Sequence, residues 1–254
     1  MVPAFDSPYP RILSVGDAAL TVELGNSIDL AINRRVFMLE KALQTAPPEG
    51  IVDLVPTYHS LLVLFAPCRI DYQTLSQHIL DQLVCMSDAQ MDKPREVKIP
   101  VHYGGEGGPD LAFVAEHNHL TPREVIDIHC GRLYPVYMMG FTPGFPYLGG
   151  LDERISAPRL ASPRTLVKAG SVGIAGQQTG IYPMESPGGW QLIGRTPLRL
   201  FDPQKKPPIL LEAGLWIRFV PISPEEYRSI AHQVATGSYV LSRQKKTTER
   251  GDGA

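Results

Sequence analysis

Residues 170–197 read Gly170-Ser-Val-Gly-Ile-Ala-Gly-Gln-Gln-Thr-Gly-Ile-Tyr-Pro183, then Ser186-Pro-Gly-Gly-Trp190 and Gly194-Arg-Thr-Pro197. Glycines at this density allow close backbone approach and inward-turned N–H groups. Gln177, Gln178, Tyr182, Trp190 and Arg195 add directional contacts beside Gly188 and Gly189. The plain alternative is a set of tight turns in a β-rich domain. Pro158-Arg159 and Pro163-Arg164 repeat a Pro-Arg pair five residues apart. Guanidinium groups on stiff, proline-bounded loops suit bidentate capture of carboxylate or phosphate, although solvated charge is the ordinary reading of any one arginine. In Gly140-Phe-Thr-Pro-Gly-Phe-Pro-Tyr-Leu148, the rings of Phe141, Phe145 and Tyr147 share one loop. Such a loop either fills a core or forms a rigid pocket wall or an interface with another chain.

Other signatures fail on their spacing. No Gly-Lys pair occurs, so there is no phosphate-binding loop of the Gly-x-x-x-x-Gly-Lys type, and Gly105-Glu-Gly-Gly108 lacks the third glycine of a dinucleotide fingerprint. Ala169-Gly-Ser-Val-Gly173 approaches a nucleophile elbow, but Ala169 replaces its first glycine and the glycine-rich run beyond Ser171 does not build the required helix. His102, His117, His119 and His129 fall within 28 residues without the i, i+4 spacing of a helical metal site. No metal site is expected. Cys68, Cys85 and Cys130 are odd in number and widely separated, which argues against a disulfide framework and points to the cytoplasm.

The elements that must position these groups follow from periodicity. Two short strands are expected around Gly16-Asp17, then a helix capped by Ser27 or Asp29 and running to about Thr45, where Pro47-Pro48 stops it. Strands at 51–55 and 60–65 and a helix over about 72–86 complete a small α+β domain ending near residue 94, at Lys93-Pro94-Arg95. Beyond it, 96–102 alternates like a strand and 109–117 and 122–130 read as short helices. From Tyr134 onward, strands cut by Pro and Gly suggest a barrel or sandwich through residue 241. Residues 242–254 are polar and expected to be disordered. With 24 Lys plus Arg against 26 Asp plus Glu, the net charge of −2 gives no field to draw nucleic acid or anionic lipid. The longest clearly apolar run, 61–66, is too short to span a membrane, so neither nucleic acid nor membrane is an expected partner.

Taken together, Ile99-Pro-Val-His-Tyr-Gly-Gly-Glu-Gly-Gly-Pro-Asp-Leu111, the 140–148 loop, Gly170-Ser-Val-Gly-Ile-Ala-Gly176 and Ser186-Pro-Gly-Gly-Trp-Gln-Leu-Ile-Gly-Arg-Thr196 resemble the B-subunit family of bacterial 5-oxoprolinase. That family is also described as sporulation kinase A inhibitor or allophanate hydrolase subunit 1. Gly16-Asp-Ala-Ala-Leu20 and Val55-Pro-Thr-Tyr58 extend the resemblance over roughly residues 11–230. The sequence departs from the family at Lys168, where Pro is frequent; a solvent-facing lysine is expected.

The resemblance implies an α+β N-terminal domain (1–94) followed by a cyclophilin-like β-barrel C-terminal domain (95–241). It implies a subunit, inactive alone, of an ATP-dependent cyclic-amide hydrolase. The site that phosphorylates and opens 5-oxoproline to glutamate is completed by the enzyme's C subunit, the A subunit works in the same pathway, and ATP with magnesium is bound jointly with a partner. On residue type, Arg195, Gln177 and Gln178 are then the catalytic candidates. Arg159, Arg164, Tyr182, Gly188, Gly189 and Trp190 are substrate-binding candidates, and Phe141, Phe145 and Tyr147 interface candidates. The alternatives are a binding protein that inhibits a histidine kinase and a component of a urea or allophanate carboxyltransferase-type enzyme.

Overall fold

Apolar residues at Leu20 and Val22, and again at Leu61, Val63 and Phe65, alternate with exposed or half-buried neighbours and so turn one face of a sheet inward. The computed structural model describes residues 8–86 and 95–242. It divides into two compact units, residues 1–92 and 93–254. Lys93-Pro94 and the tail from Arg243 lie outside the described residues.

In the first unit, β1 (Arg11–Ser14), β2 (Ala19–Glu23), β3 (Ile51–Pro56) and β4 (Ser60–Phe65) form an antiparallel sheet in the order β1-β2-β4-β3. Helices α1 (Leu30–Thr45) and α2 (Tyr72–Cys85) contribute Val36, Leu39, Leu43, Leu75, Ile79 and Leu83 to its single core. Asp29 starts α1 by accepting from Ala31 N (2.8 Å) and Ile32 N (3.0 Å), and Asp71 starts α2 by accepting from Thr74 N (2.9 Å).

The second unit runs β5 (Glu96–Tyr103), α3 (Leu111–His117), α4 (Pro122–Cys130), β6 (Tyr134–Met139), β7 (Pro146–Leu148), β8 (Arg164–Val167), β9 (Ser171–Ala175), β10 (Gln178–Ile181), β11 (Ser186–Gly188), β12 (Gln191–Arg195), β13 (Trp216–Pro221) and α5 (Pro224–Ala235). Seven strands form a sheet in the order β10-β9-β12-β5-β13-β6-β7, and its two end strands, β10 and β7, approach each other, so the sheet is nearly closed. Only β5 and β13 run parallel; β8 and β11 form a separate pair. Helix α5 corrects the expectation of strands alone after Tyr134. Its signal is in the sequence: Ser223 and Glu226 form a reciprocal capping box around Pro224.

A hydrogen-bond chain crosses the core of this unit. His129, fully buried on α4, stacks on Phe219 of β13 with ring centroids 4.4 Å apart. Its Nε2 lies 2.9 Å from Thr179 Oγ1, and its Nδ1 lies 2.7 Å from the Tyr103 hydroxyl. The Thr179 hydroxyl donates to Gly173 O at 3.1 Å, so its one hydrogen is spent and it must accept from Nε2–H. Nδ1 then accepts from Tyr103 O–H, whose oxygen accepts from Cys130 Sγ at 3.3 Å. Every member is satisfied only while the imidazole is neutral.

Burial lowers the His129 pKa from 6.5 to about 3. Below pH 6.5 the unfolded chain binds a proton that the folded chain refuses, so stability is whole above that pH and falls as pH drops toward 3. Urea unfolding of wild type and His129→Gln across pH 4–7 measures this. The wild type is expected to lose roughly 1 kcal/mol per pH unit more than the variant below pH 6; parallel curves would show that His129 titrates normally.

Candidate functional site

Arg164 opens β8, where its guanidinium already holds an anion. Nη2 donates to Asp110 Oδ1 (2.7 Å) and Oδ2 (2.8 Å), and Nη1 to Trp190 O (3.2 Å). Asp110 in turn accepts from Leu192 N through Oδ2 at 2.6 Å, while its own N–H donates to Leu192 O at 2.9 Å. The pair therefore clamps the start of β12 beside the irregularity between Leu192 and Gly194. Arg159 is exposed. Both arginines act electrostatically on Tyr182, whose hydroxyl pKa is raised by burial and drawn back by a backbone hydrogen bond from Trp190 and by these two cations.

Four rings surround that of Phe145. Its centroid lies 5.2 Å from Tyr147, 5.8 Å from Phe141, 5.9 Å from Trp190 and 6.1 Å from Tyr182, each edge-on. The structure thus brings Phe141, Phe145 and Tyr147 together with Tyr182 and Trp190. Phe145 and Tyr182 are buried, whereas Phe141 is 73% exposed at φ 62°, a costly backbone for a bulky residue. Trp190 lies over the cross-strand pair Gly173–Gly180; a Cβ on Gly180 would stand 3.0 Å from the indole, and one on Gly173 3.2 Å from Trp190 Cβ. Gly188 lies against Tyr182, where a Cβ would come within 2.4 Å of the hydroxyl, and Gly189 O accepts from Leu160 N at 2.7 Å.

Gln177 occupies the two-residue turn of the β9–β10 hairpin with Gly176 and is exposed; Gln178 pairs with Ala175 and is half-buried. Ala175 lies four residue steps along β9 from Ser171, which pairs with Arg195. The register therefore sets the glutamines about 13 Å along the strand from Arg195.

Arg195 ends β12 half-buried, its Nε donating to Ala169 O at 2.8 Å. That carbonyl belongs to the tight turn Lys168-Ala-Gly-Ser171, closed by Ser171 N to Lys168 O at 3.2 Å. Gly170 has φ 82°, as a type II turn requires at its third position, and a Cβ there would lie 2.4 Å from Thr196 O. Lys168 is exposed. Asp110, which orients Arg164, and Thr179, which holds the floor beneath Trp190, carry no local signal in the sequence; their partners are 54 and 50 residues away.

Among the described residues no three His, Cys, Asp or Glu side chains gather as a metal donor set, and no helix is long and apolar enough to cross a membrane.

The family described as carboxyltransferase domain, subdomain C and D, matches residues 10–211. The 5-oxoprolinase B subunit of Bacillus subtilis (strain 168) is 43% identical over 229 residues, 86% of this chain and 95% of that protein. The same-named subunit of Escherichia coli O157:H7 is 43% identical over 214 residues, 83% of this chain and 95% of that protein. The crystal structure of TTHA0988 superposes with a TM-score of 0.72 at 38% identity over 81% of this chain, which spans 40% of that longer chain.

Replacing Gly170 by Ala forces a left-handed non-glycine residue against a carbonyl. It is expected to cost about 2 kcal/mol. Thermal unfolding checks this; an unchanged midpoint would mean that the turn does not hold Arg195 as described.

Proposed function

The chain belongs to the family of the carboxyltransferase domain, subdomains C and D, and from that membership we propose that it serves as the B subunit of an ATP-dependent 5-oxoprolinase. The observation that carries this reading is 43% identity to a protein of that name along 95% of its length. The second unit is read as a cyclophilin-like barrel, which its nearly closed seven-stranded sheet supports.

The reaction explains the design. A five-membered lactam is a poor electrophile, and ATP supplies a phosphoryl group that turns its oxygen into a leaving group before water opens the ring to glutamate. The chain's own residues position and stabilise charge. Arg195 binds the anion that develops, since Ala169 holds only its Nε and leaves the two terminal nitrogens without a partner among the described residues. Arg159 and Tyr182 bind substrate at the Trp190 wall, where Arg164, held by Asp110, fixes the wall itself. Gln177 and Gln178 orient substrate from the hairpin tip, and Gly188 and Gly189 shape its edge.

A partner completes the site. Phe141 holds an exposed ring in a strained backbone at the rim of an otherwise packed aromatic cluster, as a surface awaiting cover does. The matching region of TTHA0988 is likewise 40% of a longer chain. The proposed cover is the enzyme's C subunit, and the A subunit works in the same pathway. ATP with magnesium is then bound jointly with the partner. The protein is inactive alone and works in the cytoplasm.

The test is co-expression with a candidate C subunit, followed by assay of 5-oxoproline-dependent ATP consumption with and without the A subunit. Activity is expected only from the assembly, and Arg195→Gln should lower kcat by about 10²–10³. Absence of any complex, or full activity in that variant, would contradict the reading.

A further inference from the structure

The register of the seven-stranded sheet places three polar residues side by side. Arg195 of β12 pairs directly with His102 of β5 on one side and with Ser171 of β9 on the other. Direct cross-strand partners project from the same face of a sheet, so the three form one row about 10 Å long. The preceding register step, Gly194 with Tyr103 and Val172, faces the core, which turns the row outward.

Each member has unspent hydrogen-bonding capacity. Arg195 gives Nε to Ala169 O and, unlike Arg164, has no carboxylate partner among the described residues. Glu106, in the 3-10 turn Gly105–Gly107, is exposed and forms no ion pair with it among the described residues. Ser171 is only 3% exposed, and its hydroxyl has no partner among the described residues. His102 is half-buried, its ring edge-on to Tyr227 at 6.3 Å, and neither ring nitrogen is hydrogen-bonded among the described residues.

We propose that His102, Arg195 and Ser171 form a binding site for a phosphoryl group on this outward face. A planar carboxylate is satisfied by two parallel guanidinium donors. A hydroxyl and an imidazole set on opposite sides of that fork add donors in directions that a three-oxygen tetrahedral group meets and a carboxylate does not. Ser171 lies two residues along β9 from Gly173, the seat of Trp190, which sets the row roughly 7 Å along the strand from that seat. This deepens the reading of the chain as part of an ATP-dependent enzyme, on which it rests, and assigns to this chain, rather than to its partner, the contacts to the transferred group.

The experiment is calorimetric titration of inorganic phosphate into the full chain without a partner, so its outcome is independent of any turnover. One saturable site is expected. Arg195→Gln should weaken it about tenfold or more, and His102→Gln and Ser171→Ala severalfold each, with thermal melts confirming that the variants fold. If Arg195→Gln fails to fold, the other two variants decide. Competition by ATP identifies the group as a nucleotide's terminal phosphate; competition by acetyl phosphate but not ATP identifies it as that of a phosphorylated substrate. No saturable phosphate binding, or binding indifferent to the folded variants, overturns the proposal. Phosphate binding without 5-oxoprolinase activity in the assembled complex would instead leave this site standing and remove the assigned reaction.

Discussion

The bond between His129 and Thr179 sets the geometry on which the second unit depends. It ties α4 to β10 inside the core, and the same threonine reaches the Gly173 carbonyl of β9. Gly173 and Gly180, paired on the opposite side of those two strands, are the seat of Trp190. A buried neutral imidazole therefore fixes from within the strands whose outer face carries the candidate site. In an environment of low dielectric such a chain is rigid when every member is paired and expensive when one is lost.

On the outer face, the arginines divide the electrostatic work. Arg164 is paired with Asp110 and donates to Trp190 O, while Asp110 accepts from Leu192 N, so the ion pair holds the backbone at the start of β12. Arg195 is positioned through one nitrogen by a carbonyl, which orients the fork without cancelling its charge. An oriented cation with no carboxylate partner among the described residues is suited to stabilising a developing anion. The exposed Phe141, held at positive φ, adds a surface that a second chain would relieve of contact with water.

Local signals are readable in the sequence. Asp29 before an apolar period marks the start of α1, Pro47-Pro48 its end, and Thr121-Pro-Arg-Glu124 the start of α4. The glycine-rich stretch and the aromatic loop mark the region of interest, and the structure joins them through Phe145. What escapes depends on pairing between distant strands. The register that aligns His102, Arg195 and Ser171, the partner of Arg164 and the chain through His129 are all set by tertiary packing, which no local period encodes. Grouping Gln177 and Gln178 with Arg195 rests on composition; the hairpin instead places them at its far end. Helix α5 is legible from Ser223-Pro-Glu-Glu226 but is obscured by the surrounding rhythm of Pro and Gly.

The central claim is that the outward face of β9 and β12, with its aromatic rim, is half of a site that a second chain closes. Hydrogen–deuterium exchange on the chain alone and in complex with a candidate C subunit tests it most directly. Slowed exchange at residues 141–145, 168–170 and 189–190 on assembly is the predicted result. A complex that forms while these three loops exchange unchanged would contradict the claim.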